Sequence, residues 1–195
     1  TLLGQNVNSY AKGSDWGYDF SDLLRELDAI EGDYVLRFMT SHPKDAGHKL
    51  IDTIADSRHI AHQLHLPMQS GSDRILHEMN RRYDTAKYLE TVEYLRRRVP
   101  DATLTSDIIV GFPGETAEDF DMTRELMNRV GFDNAFIFKY SPRPGTKSSL
   151  REDSVPREVK EERNQILLED LKKRVERSLA AQVGTVQEVL VEGVS

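Results

Sequence analysis

The chain has 195 residues, of which 38% are apolar, and its formal net charge is −7. It can bury one domain core, and its acidity argues against a uniformly basic nucleic-acid-binding protein, although a local basic patch stays compatible with it. The absence of cysteine excludes disulfides, thiolate catalysis and a cysteine-bound iron–sulfur cluster within these residues. No apolar run approaches the roughly 20 residues that span a bilayer, so we expect a cytoplasmic protein without membrane contact.

Apolar runs typical of β-strands alternate along the chain with segments of helical periodicity. Strands are predicted over Thr1–Leu3 (the end of one), Tyr34–Thr40, Ala61–Leu66, Thr103–Val110 and Asn134–Tyr140. Helices are predicted over Phe20–Ile30, Leu50–Ala55, Ala86–Val99 and Pro156–Val183, with Ser21, Asp84 and Thr116 as caps or first-turn residues and Gly131 and Gly184 as stops. This alternation predicts an α/β fold with parallel strands, because a parallel crossover usually contains a helix.

Each predicted strand is followed by a polar loop that contains glycine or proline. The loops are GQNVNSY, SHPKD, PMQSGSD, GFPGET and SPRPGT. Ligands of parallel α/β folds bind at the carboxyl ends of the strands, so five such loops on one rim predict a single site. A complete (β/α)₈ barrel needs about 250 residues, and the chain therefore corresponds to the later part of a barrel, closed or open.

The loop after the Thr103–Val110 strand is suited to a nucleoside. Ile109 offers an apolar wall, and Gly111 lets a base approach the main chain because it has no Cβ. Phe112 is placed to stack on the base or to close the slot. A buried barrel strand that ends in a tight turn is the alternative interpretation.

The other loops contribute polar groups to the same rim. Gln69, Ser70 and Gly71 precede a predicted helix start and suit ribose hydroxyls or a carboxylate, although capping explains the serine equally well. His42 precedes Pro43 and is expected to be extended, with its side chain aimed at the rim. Three histidines at three-residue spacing, His59, His62 and His65, point to opposite faces of a strand, so we predict no metal site there.

Two sets of arginines are candidates for anionic ligands. Arg143 stands between two prolines in a rigid loop and suits a carboxylate or phosphate at the rim. Arg81 and Arg82 form a dense basic cluster, which we expect to lie farther out and to contact nucleic-acid phosphates.

Five segments together resemble the radical S-adenosylmethionine methylthiotransferases. LLGQNVNSY, TSHP, HLPMQSGSDRILHEMNRRY, SDIIVGFPGETAEDF and YSPRPGT are similar to successive strand-end motifs of that family and occur in its order. The resemblance extends over almost the whole chain. GQNVNSY and LPMQSGS favour the branch that modifies N(6)-isopentenyladenosine in tRNA. MNRRY and YSPR also suit a branch that acts on threonylcarbamoyladenosine in tRNA, and a third branch modifies a ribosomal protein.

The resemblance implies a domain organisation. Residues 1–155 correspond to the later part of a radical-SAM (β/α) TIM-like barrel, 156–184 to a linking helix, and 185–195 to the first strand of an RNA-binding TRAM domain. The family's cysteine motifs have no counterpart here, so we expect the chain to be a middle portion of the enzyme and inactive alone.

The resemblance also implies cofactors and partners. The intact enzyme uses S-adenosylmethionine, two [4Fe–4S] clusters, an electron donor and tRNA. The implied cofactor-binding residues are Gln5, Asn6, Ser41, His42, Gln69, Ser70, Gly71, Ile109, Gly111, Phe112 and Arg143. The implied tRNA contacts are Asn8, Arg81 and Arg82, and neither catalytic nor metal-binding residues are assigned. Two alternatives of other classes are a cysteine-free barrel lyase acting through Lys139 or Asp107, and a non-catalytic RNA-binding module.

Overall fold

Parallel β-structure forms the centre of the chain in a computed structural model that describes residues 1–39, 41–186, 191 and 193. The strands are β1 (Gln63–His65), β2 (Thr103–Val110) and β3 (Asn134–Lys139), which lie side by side in chain order. Gln63 pairs with Thr103, and Thr105 pairs with Asn134. The predicted α/β class with parallel strands is therefore confirmed.

Two earlier segments extend this row only through isolated parallel bridges. Phe38 bridges to Leu2, whereas Leu36 bridges to Ile60. The segment thus has a single bridge on each side and forms no ladder of consecutive pairs. The prediction of a regular strand over Tyr34–Thr40 is thus wrong within the described residues, although the segment occupies the expected place.

Helices connect the parallel segments. The α-helices are α1 (Phe20–Asp28), α2 (His48–Ala55), α3 (Asp73–Glu78), α4 (Thr85–Arg98), α5 (Ala117–Val130) and α6 (Arg157–Gln182), and short 3₁₀ turns cover Val7–Ser9, Pro43–Asp45 and Lys147–Leu150. Asp84 and Thr116 cap α4 and α5 as predicted, and Gly131 ends α5 with φ +66°. No helix in the described part of the chain is long and apolar enough to span a membrane. The predicted TRAM strand over 185–195 lies mostly outside the described residues.

The sheet is covered by helices on one face and is more open on the other. Along β2, residues Leu104, Ser106, Ile108 and Val110 are buried, whereas Thr105, Asp107 and Ile109 alternate with them and are partly exposed. On β3, Phe136 and Phe138 share the open face and stack at 6.5 Å between ring centroids. Each is about half exposed, at 54% and 51%, so large apolar side chains lie on the uncovered face.

The long helix α6 buries a mixed face. Leu167 and Leu171 belong to the core, but Lys160 and Arg163 are buried as well. Leu168, by contrast, is 40% exposed. The helix therefore docks through two cations in addition to its apolar residues.

The chain between β1 and α3 leaves the regular ladder, and side chains take over its hydrogen bonds. The Ser106 hydroxyl accepts from the Met68 N–H (2.8 Å) and donates to the Leu66 carbonyl (3.0 Å). The Tyr88 hydroxyl donates to the same carbonyl at 2.7 Å. Because buried peptide groups need partners, these bonds fix the path that delivers Gln69 to the rim.

Asp119 joins the starts of α3 and α5. Its carboxylate accepts from the Ser72 hydroxyl (2.6 Å) and from the Thr116 N–H (2.9 Å), and it pairs with Arg74. Burial opposes ionisation, but these donors hold the pKa of Asp119 well below its usual range. The ionised carboxylate therefore stabilises the folded state.

We predict that Asp119→Ala lowers the free energy of unfolding by roughly 2–4 kcal/mol, because it leaves Ser72 and Arg74 without their buried partner. The matched variant Asp84→Ala removes only an exposed cap and should cost about 1 kcal/mol. Urea unfolding at pH 7 measures both values.

The lowered pKa of Asp119 also predicts how its contribution to stability changes with pH. Since the folded pKa of Asp119 is lowered, the stabilisation is complete above the unfolded value of about 4 and is lost as the pH falls below it. The difference between wild type and Asp119→Ala should shrink below about pH 4. A difference that changed mainly between pH 7 and 5 would contradict the assignment.

Candidate functional site

An open cavity of about 960 Å³ lies at the carboxyl ends of β2 and β3. Its walls come from four places: residue 69, the end of α3, the two strand ends, and the loop over 141–151. The lining residues are Gln69, Glu78, Met79, Asn80, Arg81, Asp107, Ile109, Phe112, Phe138, Lys139, Tyr140, Ser141, Arg143, Thr146, Lys147, Ser148 and Arg151. Five of the predicted site residues, namely Gln69, Arg81, Ile109, Phe112 and Arg143, thus meet around one space.

Gln69 has the features of a residue built to meet a ligand. Its φ is +65°, a left-handed conformation that residues other than glycine rarely adopt. Its backbone is fixed by bonds to the Asp107 carbonyl (2.8 Å) and the Ile109 N–H (2.9 Å). Its side-chain Oε1 is buried yet has no hydrogen-bond partner among the described residues. An unpaired buried acceptor on a cavity wall is suited to a polar donor of a bound molecule.

Side chains of α6 and of the same loop support the backbone after β2. Gly111 has φ +72°, and a Cβ there would overlap the aliphatic part of Lys160 from α6. Glu115 accepts from the Gly111 N–H at 2.9 Å and pairs with Arg163. Burial raises the pKa of Glu115, although Gly111 and Arg163 act in the opposite direction. Gly111 thus meets Lys160, whereas its neighbours Ile109 and Phe112 line the cavity.

Ser70 and Gly71 pack against α5. The Thr123 hydroxyl lies 3.2 Å from the Ser70 hydroxyl and accepts from the Gly71 N–H at 2.9 Å. A Cβ on Gly71 would lie 2.6 Å from the Thr123 Cα, so only glycine fits this contact. Ser72 caps α3 by accepting from Ile75. Neither Ser70 nor Gly71 lines the cavity.

The first two rim loops are tied together by Asn8. Its amide donates to the His42 carbonyl (3.0 Å) and accepts from the His42 N–H (2.9 Å). Asn6 donates to Asp45 at 3.4 Å, and Gln5 is exposed on the same loop. The Ser41 hydroxyl and the Asn6 Oδ1 are buried without a described partner.

His42 packs against Tyr83, and neither residue lines the cavity. Its ring contacts Tyr83 edge-on at 5.7 Å, and its Nδ1 accepts from the Lys44 N–H. Burial lowers the pKa of His42, and the charge of Arg81 lowers it further. The neutral ring therefore has its Nε2 available as a donor.

The cations around the cavity are distributed differently from the expectation. Arg81 lies on the same cavity as Arg143, whereas Arg82 is exposed and is not part of its lining. Arg81 follows α3 in a left-handed turn at Asn80 (φ +57°), and its Nε is buried without a partner in the described part of the chain. The predicted separation of Arg81 from Arg143 is therefore wrong.

Aromatic and charged residues that the sequence pattern did not assign complete the wall. Phe112 meets Tyr140 edge-on at 5.2 Å, and Arg151 lies over the Phe112 ring and pairs with Glu78. Phe138 lies in an unbroken apolar run of β3, so the sequence does not show which face of the sheet it is on. The αL position of Asn80, by contrast, depends on how α3 ends and has no sequence pattern of its own beyond the asparagine.

Lys139 and Asp107, which the alternative lyase would use, line the same cavity and each have a partner of opposite charge or a histidine nearby. Lys139 lies 3.5 Å from Glu161, and Asp107 lies 3.4 Å from the Nε2 of His65. Within the described residues no group of three or more histidines and carboxylates is placed to hold a metal ion. Since the chain has no cysteine, its residues do not fit an iron–sulfur cluster. The cavity with Gln69 and Phe112 does fit an adenosine-containing molecule, because it combines an unpaired amide oxygen with an aromatic wall.

Comparisons with known proteins identify the superfamily of the chain. A profile of the Radical SAM superfamily matches residues 2–127. The chain also resembles coproporphyrinogen III oxidase from Escherichia coli, described as a radical SAM enzyme, with a TM-score of 0.62 and 18% identity over 79% of this chain and 36% of that one. The chain belongs to the radical SAM superfamily.

Curated proteins from three organisms are similar to the chain over its full length. Proteins of Desulfitobacterium hafniense, Acetivibrio thermocellus and Clostridium perfringens are 47%, 50% and 49% identical to it over its full length. Each is named tRNA-2-methylthio-N(6)-dimethylallyladenosine synthase. The chain spans only 44%, 41% and 44% of their respective lengths.

We predict that Gly111→Ala destabilises the protein by about 2–4 kcal/mol, from left-handed strain of about 1–2 kcal/mol and displacement of Lys160. Gly114 is the matched control, since it has φ +85° and open space where an added methyl group would lie. Gly114→Ala should therefore cost only the strain.

The role of Lys160 is tested by repeating both changes in a Lys160→Ala background. The extra cost of Gly111→Ala over Gly114→Ala should disappear there, as measured by urea unfolding. An extra cost that persisted would mean that Lys160 is not what occupies the space beside Gly111.

Proposed function

We propose that this chain forms the S-adenosylmethionine-holding part of a methylthiotransferase that adds a methylthio group to N(6)-dimethylallyladenosine in tRNA. The observation that supports this most directly is an open cavity at the strand ends with room for a nucleoside, in a chain about half identical along its whole length to relatives named for that reaction. The chain spans less than half of those relatives, so the complete protein performs the reaction in this proposal.

In this proposal residues 1–155 are the later part of a radical SAM barrel, 156–184 a linking helix and 185–195 the start of a TRAM domain. Two iron–sulfur clusters are held by cysteines outside this chain and are reduced by an electron donor. The reaction takes place in the cytoplasm. When bound, S-adenosylmethionine supplies the radical and the methyl group, and the residues of this chain bind and orient it.

The cavity residues have distinct tasks. Gln69 hydrogen-bonds the cofactor through its unpaired Oε1, while Ile109 and Phe112 give its adenine an apolar and aromatic wall. Holding the cofactor still beside the target base is the contribution of a scaffold to such a reaction.

Arg143 and Lys147 are suited to the RNA backbone. Both line the cavity, both are largely exposed, and neither forms an ion pair with a described carboxylate. Phosphate groups are the natural partners of such cations in a tRNA complex. The predicted contacts through Asn8 and Arg82 have less support, because Asn8 is bonded to the backbone of His42 and Arg82 is not part of the cavity lining.

The proposed activity is tested with the complete protein, reconstituted anaerobically, and tRNA that carries N(6)-dimethylallyladenosine. Mass spectrometry of the nucleosides should show gain of one methylthio group. Unchanged tRNA, together with modification of a threonylcarbamoyladenosine or a ribosomal protein, would contradict the proposed substrate and assign the protein to another branch of the family.

We predict that Gln69→Ala weakens binding of S-adenosylhomocysteine, a non-reacting analogue, by about three- to tenfold, the equivalent of one hydrogen bond. Gln63→Ala is the control, since Gln63 is partly exposed on β1 and does not line the cavity. Calorimetric titration of the complete protein measures both, and equal affinities for the two variants would contradict the role of Gln69.

We predict that Arg143→Ala flattens the dependence of tRNA affinity on salt by about 0.7–0.9 log–log units, the value of one lost phosphate contact. Arg82→Ala is the matched control and should leave the slope unchanged. Filter binding at four salt concentrations distinguishes them, and the opposite pattern would move the RNA contact to Arg82.

A further inference from the structure

Glu115, at the end of the loop after β2, forms hydrogen bonds to the beginning of the same loop. Its carboxylate accepts from the Gly111 N–H at 2.9 Å, and its own N–H donates to the Phe112 carbonyl at 2.9 Å. The side chain is almost fully buried, with 1% exposed. One residue therefore sets the conformation of the five residues 111–115, which include Phe112 on the cavity wall.

Arg163 of α6 determines where the Glu115 carboxylate points. Its guanidinium pairs with Glu115 Oε1 and donates to the Glu115 carbonyl at 3.4 Å. It also lies over the Phe120 ring at 5.4 Å. With these three contacts the planar guanidinium is fixed in position and in orientation.

Lys160, one turn earlier on α6, supports the same loop. Its aliphatic part fills the space beside Gly111, and its ammonium group pairs with Asp153 at 2.5 Å. The ammonium also lies 5.4 Å from the Tyr140 ring, which meets Phe112 edge-on. Two buried cations of one helix therefore brace the residues that form one wall of the cavity.

A buried ion pair contributes little net stability to the docking of a helix. Desolvation of two charges offsets most of their attraction, and apolar side chains of similar size dock helices at least as well. An arginine–glutamate pair does fix the relative orientation of its two side chains, because their hydrogen bonds form only in one arrangement. The arrangement here is the one that fixes the Gly111 N–H.

We propose that Arg163 is a positioning residue of the binding site: through Glu115 it fixes the backbone of residues 111–115 and thereby the place of Phe112 on the cavity wall. The helix α6 is then a part of the site as well as a connection to the residues beyond Gln182. The effect on cofactor affinity rests on the proposed function, whereas the effect on the loop backbone does not.

The test uses Arg163→Met, Arg163→Lys and the double variant Arg163→Met, Glu115→Gln in the complete protein. The double variant removes the unpaired buried charge that Arg163→Met leaves, so it remains informative if the single variant does not fold. The control is Asp170→Asn, which removes the partner of Arg124 between α6 and α5, away from the loop. Three quantities are measured: urea stability, amide hydrogen exchange of residues 111–115, and the Kd of S-adenosylhomocysteine.

We expect the arginine-free variants to exchange the Gly111 amide about tenfold faster than their global stability accounts for, since the side chain of residue 115 loses the partner that orients it. The Kd should rise about three- to tenfold, and Arg163→Lys should recover part of both effects. Asp170→Asn should lower stability without selective exchange at Gly111.

Two results would overturn the proposal. One is Gly111 exchange that follows global stability equally in the Arg163 and Asp170 variants, which is the behaviour of a purely structural ion pair. The other is accelerated exchange of the Gly111 amide with an unchanged Kd of S-adenosylhomocysteine, which would mean that Arg163 does not influence the binding site. If wild-type protein fails to bind the analogue, the proposed cofactor is wrong, and exchange at Gly111 alone still decides whether Arg163 positions the loop.

Discussion

Every strand of a parallel sheet faces the same constraint at its carboxyl end: the chain leaves the ladder, and its peptide groups must find new partners. In this protein side chains provide many of them. Ser106 and Tyr88 bond the backbone after β1, Thr123 accepts from Gly71, and Glu115 accepts from Gly111. A loop whose backbone is satisfied by buried side chains is held in one conformation, and that conformation determines which groups face the cavity.

The same bonds explain why the rim divides into supporting and ligand-facing residues. Ser70 and Gly71 direct their polar groups to α5, and Asn8 uses both of its amide atoms on His42. Gln69 differs, because its backbone is fully bonded while its Oε1 has no partner within the described residues. The strained φ of Gln69 is maintained by these backbone bonds, so the neighbouring loops together hold one amide group ready for a ligand.

The sequence predicted the parallel α/β class, because the hydrophobic period is a local signal. It also predicted that five strand-end loops share one site, and three of them line the cavity, whereas GQNVNSY and SHPKD do not. It also placed Gln69, Ile109, Phe112 and Arg143 on a common rim, and all four line the cavity. It failed where the outcome depends on a distant partner. The space beside Gly111 is filled by Lys160, some fifty residues farther along the chain, and Arg81 reaches the cavity because of how α3 ends. No local pattern contains either contact.

Charge gives the clearest example of such non-local information. The net charge of −7 argues against a uniformly basic protein, and yet five cationic side chains line the cavity against two carboxylates, Glu78 and Asp107. Several other basic residues along the helices are neutralised by neighbours, as Arg98 is by Asp52 and Arg124 by Asp170. A cleft with low-dielectric walls concentrates the field of its own charges. Arg81, Arg143 and Lys147 line the cavity and have no ion-pair partner among the described residues, so they contribute positive potential there whatever the total charge is. An acidic chain thus carries a cavity in which cations outnumber carboxylates.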